Sequence, residues 1–299
     1  MQLSANWPDL IRTDLFEYFD NEYKGIEKMV PLLYNIKTSN LASEVMSSAG
    51  EFPDLEPFDG QVNYADMYEG YIKTFTHSES ARGLQIRSTL IKDAQGAGHG
   101  FVFQEKPQAM ARAVSRTREK DGSATFNDAF TSEPTDSDGA ELCASDHARP
   151  KDSTTQSNEG TTTFSATAVE AVRLAMRKFT DDQGDFCGSS MDTLLVPEDL
   201  HEKAYEVIKS ELKVDVSTNN KNFHQGRYDL SVWSRLSDTN NWFGIDSTLE
   251  KNSLFWFNNE PIKFFKDDSS DSLSAKYIAY FRKSCGFRNW RWIYGMLVS

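Results

Sequence analysis

Cysteines are few in this chain and far apart. Cys143, Cys187 and Cys285 are its three cysteines, and no two of them have the Cys-x-x-Cys spacing. An odd number of distant cysteines predicts neither a disulfide framework nor a zinc site, and reduced thiols inside a cell are the default interpretation. Cys285 lies in an alternating segment, so we expect it to pack within a strand rather than to act as a nucleophile.

Long hydrophobic runs are also absent. The first residues, MQLSANWPDLIRTDLFEYFDN, contain no apolar core of signal-peptide length. No segment approaches the roughly 18 consecutive apolar residues of a membrane-spanning helix. We therefore expect a protein that is made without export and that has no membrane partner.

Motifs of catalysis and ligand binding are missing too. The histidines form no HExxH motif, no serine lies in a GxSxG elbow, and no two carboxylates stand out as an acid–base pair. The segment GAGHG at 96–100 resembles a phosphate-binding loop faintly, but no Lys-Ser or Lys-Thr follows it. A flexible joint is the favoured interpretation there, and the sequence predicts neither an enzyme nor a cofactor.

Acidic and aromatic residues are what the sequence has in quantity. Its 20 Phe, 11 Tyr and 6 Trp exclude a disordered chain, while an apolar fraction of 38% predicts a modest core. This composition fits an extended, surface-rich protein with aromatic residues at interfaces, and equally a polar globular domain. The net charge of −13 repels nucleic acid at long range. It excludes a sequence-reading DNA-binding protein but not a protein that lies near DNA.

The beginning of the chain has the pattern of an arm. Residues 8–28 carry apolar side chains at helical spacing, and Pro31 ends that pattern. Residues 35–60 have little pattern and include SSAGEFPDLEPFDG, which predicts an extended loop.

The next part of the chain predicts a hairpin and then a long helix. Between 61 and 95, the alternating segments YIKTF and LQIRSTLI flank the turn-rich THSESARG. A lone two-stranded ribbon is marginal in water, so the hairpin must lie on its own domain or on a neighbouring copy. Pro107 is at a position typical of a first helical turn, which predicts a helix that ends near Phe130. Gly122 is expected to weaken this helix by about 1 kcal/mol relative to Ala.

Hairpin and helix are our candidates for contacts between copies of the chain. The candidate residues are Tyr71, Lys73, Phe75, Arg82, Arg87, Arg112, Arg116 and Lys120. Arg112, Arg116 and Lys120 recur at i, i+4 and i+8, so they share one helix face. That face is open to three interpretations: a solvated surface with Arg116 paired to Glu119, salt bridges to an acidic neighbour, or weak phosphate contact. The stretch 68–130 is slightly basic in an acidic chain, which predicts a basic strap across acidic neighbours.

The second half of the chain predicts a compact unit of helices and strands. The polar segment 131–163, which contains His147, is typical of a boundary or a long surface loop. Ser165 is placed to cap a helix, DTLLVP has the pattern of a buried strand, and Pro197 is placed to open a further helix. Short aromatic strands follow, in DLSVWSRL, NWFGID, LFWFNN, IKFFKD, AKYIAYFRKSCGF and RNWRWIYGM. About four helices and about eight strands predict an α+β fold.

Several of these segments, taken in order, resemble the major capsid proteins of tailed bacteriophages, especially the Mu-like major head subunit group. The resemblance begins with YIKTFTHSESARGLQI and the basic helix that ends in SRTREKDGSATFNDAF. GAELCASDH, DTLLVPEDLHEKAYEVI and RNWRWIYG continue it. The matches extend from Tyr68 to Gly295, and their order is more specific than any one of them.

The resemblance implies an α+β HK97-like capsid fold with five parts. In order they are an N-terminal arm at 1–57, an extended hairpin loop (E-loop) at 58–95, a peripheral domain with the spine helix at 96–134, an axial domain at 135–265, and C-terminal strands at 266–299 that return to the peripheral domain.

The implied function is structural, without catalysis or cofactor. A major capsid protein of this kind self-assembles into pentamers and hexamers of an icosahedral phage head around double-stranded DNA, which it contacts non-specifically. Its further partners would be a scaffolding protein, a portal and, as an option, a decoration protein. Because the chain begins without a charged leader, the scaffolding protein would be separate, or else the chain would already be processed. The capsid protein itself would be located in the virion and assembled in the host cytoplasm.

Two alternatives stay open at this point. One is an encapsulin-like nanocompartment shell, which has the same fold but encloses protein cargo. The other is a cytoplasmic α+β hydrolase, which requires a compact monomer or dimer with convergent catalytic groups.

Overall fold

The computed structural model of the chain describes residues 7–26, 28–50, 52, 54–58, 60, 62, 64, 69–87, 101–131, 138–212, 220–267 and 274–298. The glycine-rich segment 96–100 and the predicted end of the hairpin at 88–95 lie outside these residues. In the described part of the chain, no helix is long and apolar enough to cross a membrane.

Helices and strands alternate irregularly along the chain, as the α+β prediction requires. The helices are α1 (Trp7–Gly25), α2 (Val30–Leu33), α3 (Phe101–Asn127), α4 (Ala166–Met176), α5 (His201–Lys209) and α6 (Ser247–Ser253). The strands are β1 (Asn35–Thr38), β2 (Ser43–Ala49), β3 (Glu69–Thr76), β4 (Ser78–Arg87), β5 (His147–Ala148), β6 (Thr155–Gln156), β7 (Glu159–Gly160), β8 (Thr193–Val196), β9 (Asp229–Val232), β10 (Trp242–Ile245), β11 (Leu254–Asp267), β12 (Ser274–Phe287) and β13 (Ile293–Met296).

A four-stranded sheet in the order β1-β11-β12-β4 forms one half of the molecule. Its long central pair, β11 and β12, is antiparallel, and α1 and α3 pack on one face through Phe19, Met110 and Val114. The sequence predicts two strands, LFWFNN and IKFFKD, where the structure has the single strand β11. The register shifts between Asn258 and Lys263, around Pro261, because proline has no N–H to donate to the ladder.

A five-stranded sheet in the order β7-β13-β10-β8-β9 forms the other half. The predictions for this part are confirmed: the Ser165 hydroxyl accepts a hydrogen bond from Ala168 N at the start of α4, and β8 is buried along its whole length. The apolar faces of α4 and α5 pack against this sheet. Each of these features follows from local periodicity and caps, which is why the sequence could predict them.

The positions at which the chain passes from one sheet to the other differ from the predicted domain boundaries. The boundary at 265 falls inside β11, and β13 lies in the five-stranded sheet, between β7 and β10, instead of returning to the peripheral part. Close packing holds β13 there, because a Cβ at Gly295 would lie 2.6 Å from Cys143 Sγ and 2.7 Å from Phe130 Cζ.

The polar segment 131–163 is less exposed than its composition predicts. The ring of His147 is buried, with Nδ1 2.8 Å from Asp138 Oδ2 and Nε2 3.2 Å from Asn158 Oδ1. Asn158 Nδ2 donates to the carbonyls of Leu142 and Ile293. These hydrogen bonds join the segment to β13, so its buried residues, among them His147 and Asn158, are part of the core.

The predicted hairpin between YIKTF and LQIRSTLI is wrong. β3 pairs antiparallel with β2, whereas β4 pairs antiparallel with β12 in the four-stranded sheet. A single residue, His77, separates β3 from β4. The segment 78–83 looks like a turn because it is polar and contains glycine, but it forms an exposed edge strand, where such residues are tolerated. The predicted loop at 35–60 in turn contains β1 and β2.

The long predicted helix is present as α3, but it begins at Phe101 rather than at Pro107. Pro107 lies inside α3 and is buried. It removes one helical hydrogen bond, and the packing of α3 along α1 outweighs that loss.

Gly122 has a packing role that helix propensity does not reveal. A Cβ at this position would lie 2.5 Å from Val30 Cγ2. The Gly122 carbonyl also accepts a 2.7 Å hydrogen bond from the Tyr34 hydroxyl.

We therefore expect Gly122→Ala to destabilise the folded subunit by about 1–3 kcal/mol, as overpacking does, although alanine favours a helix by about 1 kcal/mol. Thermal denaturation of the unassembled subunit measures the change. The matched control is the same substitution in a Val30→Ala background, which removes the clashing methyl group. If Gly122→Ala were equally destabilising in both backgrounds, close contact with Val30 would not be the cause.

Candidate intersubunit surfaces

The base of the β2–β3 hairpin is fixed to the four-stranded sheet by Phe75. Its side chain is 3% exposed, and its ring centroid lies 5.3 Å from that of Phe257 and 6.4 Å from that of Phe255. Met46 of β2 packs against the same cluster. The candidate role of Phe75 as a contact to another copy is thereby corrected, because its side chain is covered within its own chain.

His77 ties both ends of the hairpin to the sheet. Its Nε2 lies 3.1 Å from the hydroxyl of Ser39, which follows β1, and its Nδ1 lies 2.9 Å from the hydroxyl of Ser284 in β12. Burial, and then the nearby Arg282 guanidinium, lower the pKa of His77. His77 therefore adds hydrogen bonds to the Phe75 packing that fixes the base of the hairpin.

The far end of the hairpin exposes large apolar side chains. Phe52 is 55%, Leu55 93%, Phe58 77%, Val62 63% and Tyr64 94% exposed to solvent. We call these residues, together with Asp54 and Glu56, the hairpin tip. An apolar patch of this kind on one chain marks an interaction site.

The charge of this end of the hairpin is negative. Residues 51–64 include Glu51, Asp54, Glu56 and Asp59 but no lysine or arginine. The predicted basic strap was assigned to 68–130, and it does not extend to this acidic end of the hairpin. Of the basic residues in that stretch, Arg82 and Arg87 are exposed on β4, and Arg112, Arg116 and Lys120 are exposed on α3.

The candidate contact residues do not form one surface. Tyr71 and Lys73 are half-buried on β3. Burial, with the charges of Asp138 and Asp182, raises the pKa of Tyr71, and the Lys73 ammonium lies 5.5 Å from the centroid of the Phe287 ring. Hairpin, edge strand and helix thus present these side chains at three separate places.

The basic face of α3 is partly engaged with its own chain. Arg112 Nη1 lies 2.8 Å from Glu22 Oε1 on α1. Glu119 does not pair with Arg116 as one interpretation predicts, because its carboxylate accepts hydrogen bonds from the backbone N–H groups of Met29 and Val30. It caps the start of α2 from a buried position. Arg116 and Lys120 make no ion pair within the described residues.

Beside this face lies a groove of about 880 Å³ between α2, α3 and the end of β9. We call it the α2–α3 groove; the lining residues of most interest are Lys28, Leu32, Arg112, Arg116, Trp233 and Arg235. Sequence reasoning missed it because its walls come from three distant segments. In the structure, Leu32 indicates the position of the groove, because this apolar residue in its lining is 70% exposed.

A buried carboxyl group lies in the connection between the two sheets. Glu250 belongs to α6, which links β10 to β11, and its Oε1 is buried without a hydrogen-bond partner. Burial raises its pKa to about 8, and the charge of Asp192 acts in the same direction. Lys251 opposes this rise, and Asp246 makes the smallest contribution, which raises the pKa again. The neighbouring Asp246 is committed to capping α6.

Because folding raises this pKa from about 4.5 to about 8, the folded chain holds the proton more tightly than the unfolded chain. Stability then falls as pH rises through this interval. We expect Glu250→Gln to remove this dependence and to stabilise the subunit at pH 8 by about 1–3 kcal/mol. Denaturation between pH 5 and pH 9 tests this, with Glu202→Gln at an exposed position of α5 as the control. An unchanged pH profile for Glu250→Gln would contradict the assignment.

Cys285 lies within β12, where its Sγ is 3.7 Å from the carbonyl oxygen of Asp121. Burial raises the pKa of its thiol. The predicted packing role of this cysteine is confirmed.

Comparison with known proteins identifies the family. The sequence profile of the phage capsid protein family matches residues 99–295. The chain belongs to the phage capsid protein family. The match includes α3, both sheets apart from β1 and β4, and the walls of the α2–α3 groove that come from α3 and β9.

Solved capsids of low sequence identity share the fold of this capsid protein. The bacteriophage JBD30 capsid matches with a TM-score of 0.59 at 16% identity, over 79% of this chain and 100% of that one. The bacteriophage PhiM1 mature capsid matches with a TM-score of 0.57 at 11% identity, over 92% and 88%. The JBD30 capsid decorated with minor capsid protein trimers matches with a TM-score of 0.57 at 16% identity, over 71% and 92%. Curated protein sequences include no match to the chain.

These findings confirm the predicted HK97-type α+β fold and the structural role. The chain is a major capsid protein of a phage head and not an enzyme. The nanocompartment shell and the hydrolase are not favoured.

Proposed function

We propose that copies of this capsid protein assemble into pentamers and hexamers through the β2–β3 hairpin, which takes the place of the E-loop. The predicted E-loop at 58–95 thus moves to about 43–76. The four-stranded sheet with α1 and α3 would be the peripheral domain, α3 its spine helix, and the five-stranded sheet the axial domain.

The exposed hairpin tip is the observation that carries this proposal. Burial of a Leu or Phe side chain contributes about 1.5–3 kcal/mol, so several such residues left in water favour association strongly. A hairpin on one copy and its binding surface on the next form a head-to-tail contact, and such contacts close into rings. Each ring then has one such contact for every copy, and these contacts together hold the ring more tightly than a single contact holds a pair.

The partners beyond the capsid protein itself follow from the same role. A separate scaffolding protein and a portal would guide assembly in the host cytoplasm, and the packaged double-stranded DNA would be contacted non-specifically. The net charge of −13 supports weak rather than tight contact with DNA. A decoration protein is a further candidate, because one similar capsid, that of JBD30, is decorated with minor capsid protein trimers.

Replacing the apolar side chains of the hairpin tip should prevent shell closure. We expect the triple variant Phe52→Ser, Leu55→Ser and Phe58→Ser to give a folded, soluble subunit and at least tenfold fewer closed particles, since the removed contacts are exposed in the single chain. Electron microscopy counts the particles, sedimentation velocity measures assembly size, and circular dichroism checks the fold.

The control variant Phe186→Ser with Tyr205→Ser removes two exposed aromatic side chains far from the hairpin in sequence. It should leave particle yield within about twofold of the unmodified protein, because isolated exposed apolar residues are ordinary. Normal shells from the triple variant would argue against the hairpin as the assembly element.

A further inference from the structure

We propose that Glu250 is a proton-operated lock on the joint between the two sheets. While its carboxyl group is neutral, α6 holds the sheets in one relative orientation. Once the carboxyl group is ionised, α6 loosens and the sheets are free to move against each other. This device goes beyond the proposed function, because it belongs to the single subunit and does not depend on how copies assemble.

The joint is α6 itself, with no loop on either side. β10, the middle strand of the five-stranded sheet, ends at Ile245, and β11, an inner strand of the four-stranded sheet, begins at Leu254. Asp246 and the seven residues of α6 make up the whole connection. A connection this short transmits any change in the angle between the sheets to α6, so the packing of α6 limits that change.

Hydrogen bonds attach the first turn of α6 to the five-stranded sheet. Asp246 Oδ2 accepts from Ser190 N at 2.7 Å, and its Oδ1 accepts from two N–H groups of α6. Asp192, which directly precedes β8, accepts from the N–H and the hydroxyl of Ser247 at 3.0 and 2.6 Å. Such donors favour the charged form of a carboxyl group, so both aspartates are fixed here as carboxylates.

The last turn of α6 is attached to the four-stranded sheet. The carbonyl of Lys251 accepts from Asn35 Nδ2 at 2.6 Å, and the carbonyl of Ser253 accepts from Arg288 N at 2.8 Å. Asn35 begins β1, and Arg288 directly follows β12. The helix is therefore hydrogen-bonded to both halves of the molecule, and its integrity determines how firmly they are joined.

Glu250 lies in the middle of this helix. It is 3% exposed, and its Oε1 has no hydrogen-bond partner among the residues that the structure describes. Burial and then the charge of Asp192 raise its pKa to about 8, while Lys251 opposes the rise and Asp246 adds a smaller one. Its charge also acts on Tyr34, whose pKa is raised above all by burial. Ionisation would place a third carboxylate charge in this buried site, where one of its oxygens has no donor.

The direction of the pH effect follows from these surroundings. When α6 loosens, Glu250 reaches water and its pKa returns to about 4.5. Below that pH the carboxyl group is neutral in both forms, and its full contribution to the closed joint is present. Each unit of pH between about 4.5 and 8 then favours the loosened joint by up to about tenfold, and the effect levels off above pH 8.

Hydrogen exchange in the unassembled, full-length subunit tests the lock. Protection factors of the α6 amides should fall at least tenfold between pH 5.5 and pH 7.5 and should level off near pH 8. The fall should be the same with and without mild urea, because loosening one short helix exposes far less surface than unfolding the subunit. Exchange of α6 only together with α4 would indicate global unfolding and would overturn the lock.

Two variants assign the effect to Glu250. Glu250→Gln keeps the size of the side chain without its charge, so the protection of α6 should change less than about twofold over the same pH range. Asp192→Asn is able to keep both contacts with Ser247, since its Oδ1 accepts from the N–H and its Nδ2 donates to the hydroxyl. It removes the neighbouring charge that most raises the pKa of Glu250, so the fall should level off at a lower pH.

Glu202→Gln, at an exposed position of α5, is the matched control and should behave as the unmodified subunit does. The lock would be overturned by an unaltered pH dependence in Glu250→Gln, or by an unaltered levelling pH in Asp192→Asn. None of these measurements needs assembled particles. A subunit that shows the lock but forms no shells would contradict the proposed function alone, and a shell-forming subunit without the lock would contradict this inference alone.

Discussion

The alternation of side chains along β11 determines the arrangement of the whole subunit. Leu254 and Trp256 point toward α2 and α3, and Phe255 and Phe257 point toward the hairpin. One short aromatic run therefore seats the helices on one face of the sheet and the hairpin on the other. A shift of one residue in the pairing of β11 with β12 would exchange these faces. The positions of both the hairpin tip and the α2–α3 groove depend on that register.

A single copy cannot satisfy both surfaces that this arrangement creates. The hairpin tip exposes apolar and acidic side chains to solvent, and the helix side offers a basic groove with a partly apolar wall. In an enzyme, such complementary features would converge on one cavity. Here they diverge within one chain, which is the expected property of a subunit whose interactions are completed by identical neighbours. Membership of the phage capsid protein family agrees with this reading of the geometry.

Local patterns in the sequence were sufficient for the half of the fold that depends on local interactions. The Ser165 cap, the buried strand at 193–196 and the helix after Pro197 were predicted correctly because caps and periodicity specify them directly. The partner strand of β3 was not predicted correctly. Whether β3 pairs with β2 or with β4 is decided by distant parts of the chain, above all by β12. The same limit applies to the candidate site: exposed arginines on α3 were predicted, but a groove built from three separate segments and an anchoring role for Phe75 required the structure. The hairpin tip was assigned to a loop because its Pro, Gly and acidic residues hide the exposed aromatic side chains between them.

The single residue between β3 and β4 has a mechanical consequence. His77 is held on both sides by serine hydroxyls, and β3 extends from it for 8 residues, or about 26 Å at about 3.3 Å per residue. The hairpin is therefore a lever whose pivot is its base, where His77 and the buried Phe75 hold it. A rotation of roughly 10° at that pivot would move the far end of β3 by about 5 Å, as follows from the same strand geometry. Copies in flatter and in more curved parts of a shell could then keep the same contact at the tip with a small change of backbone angle at the base.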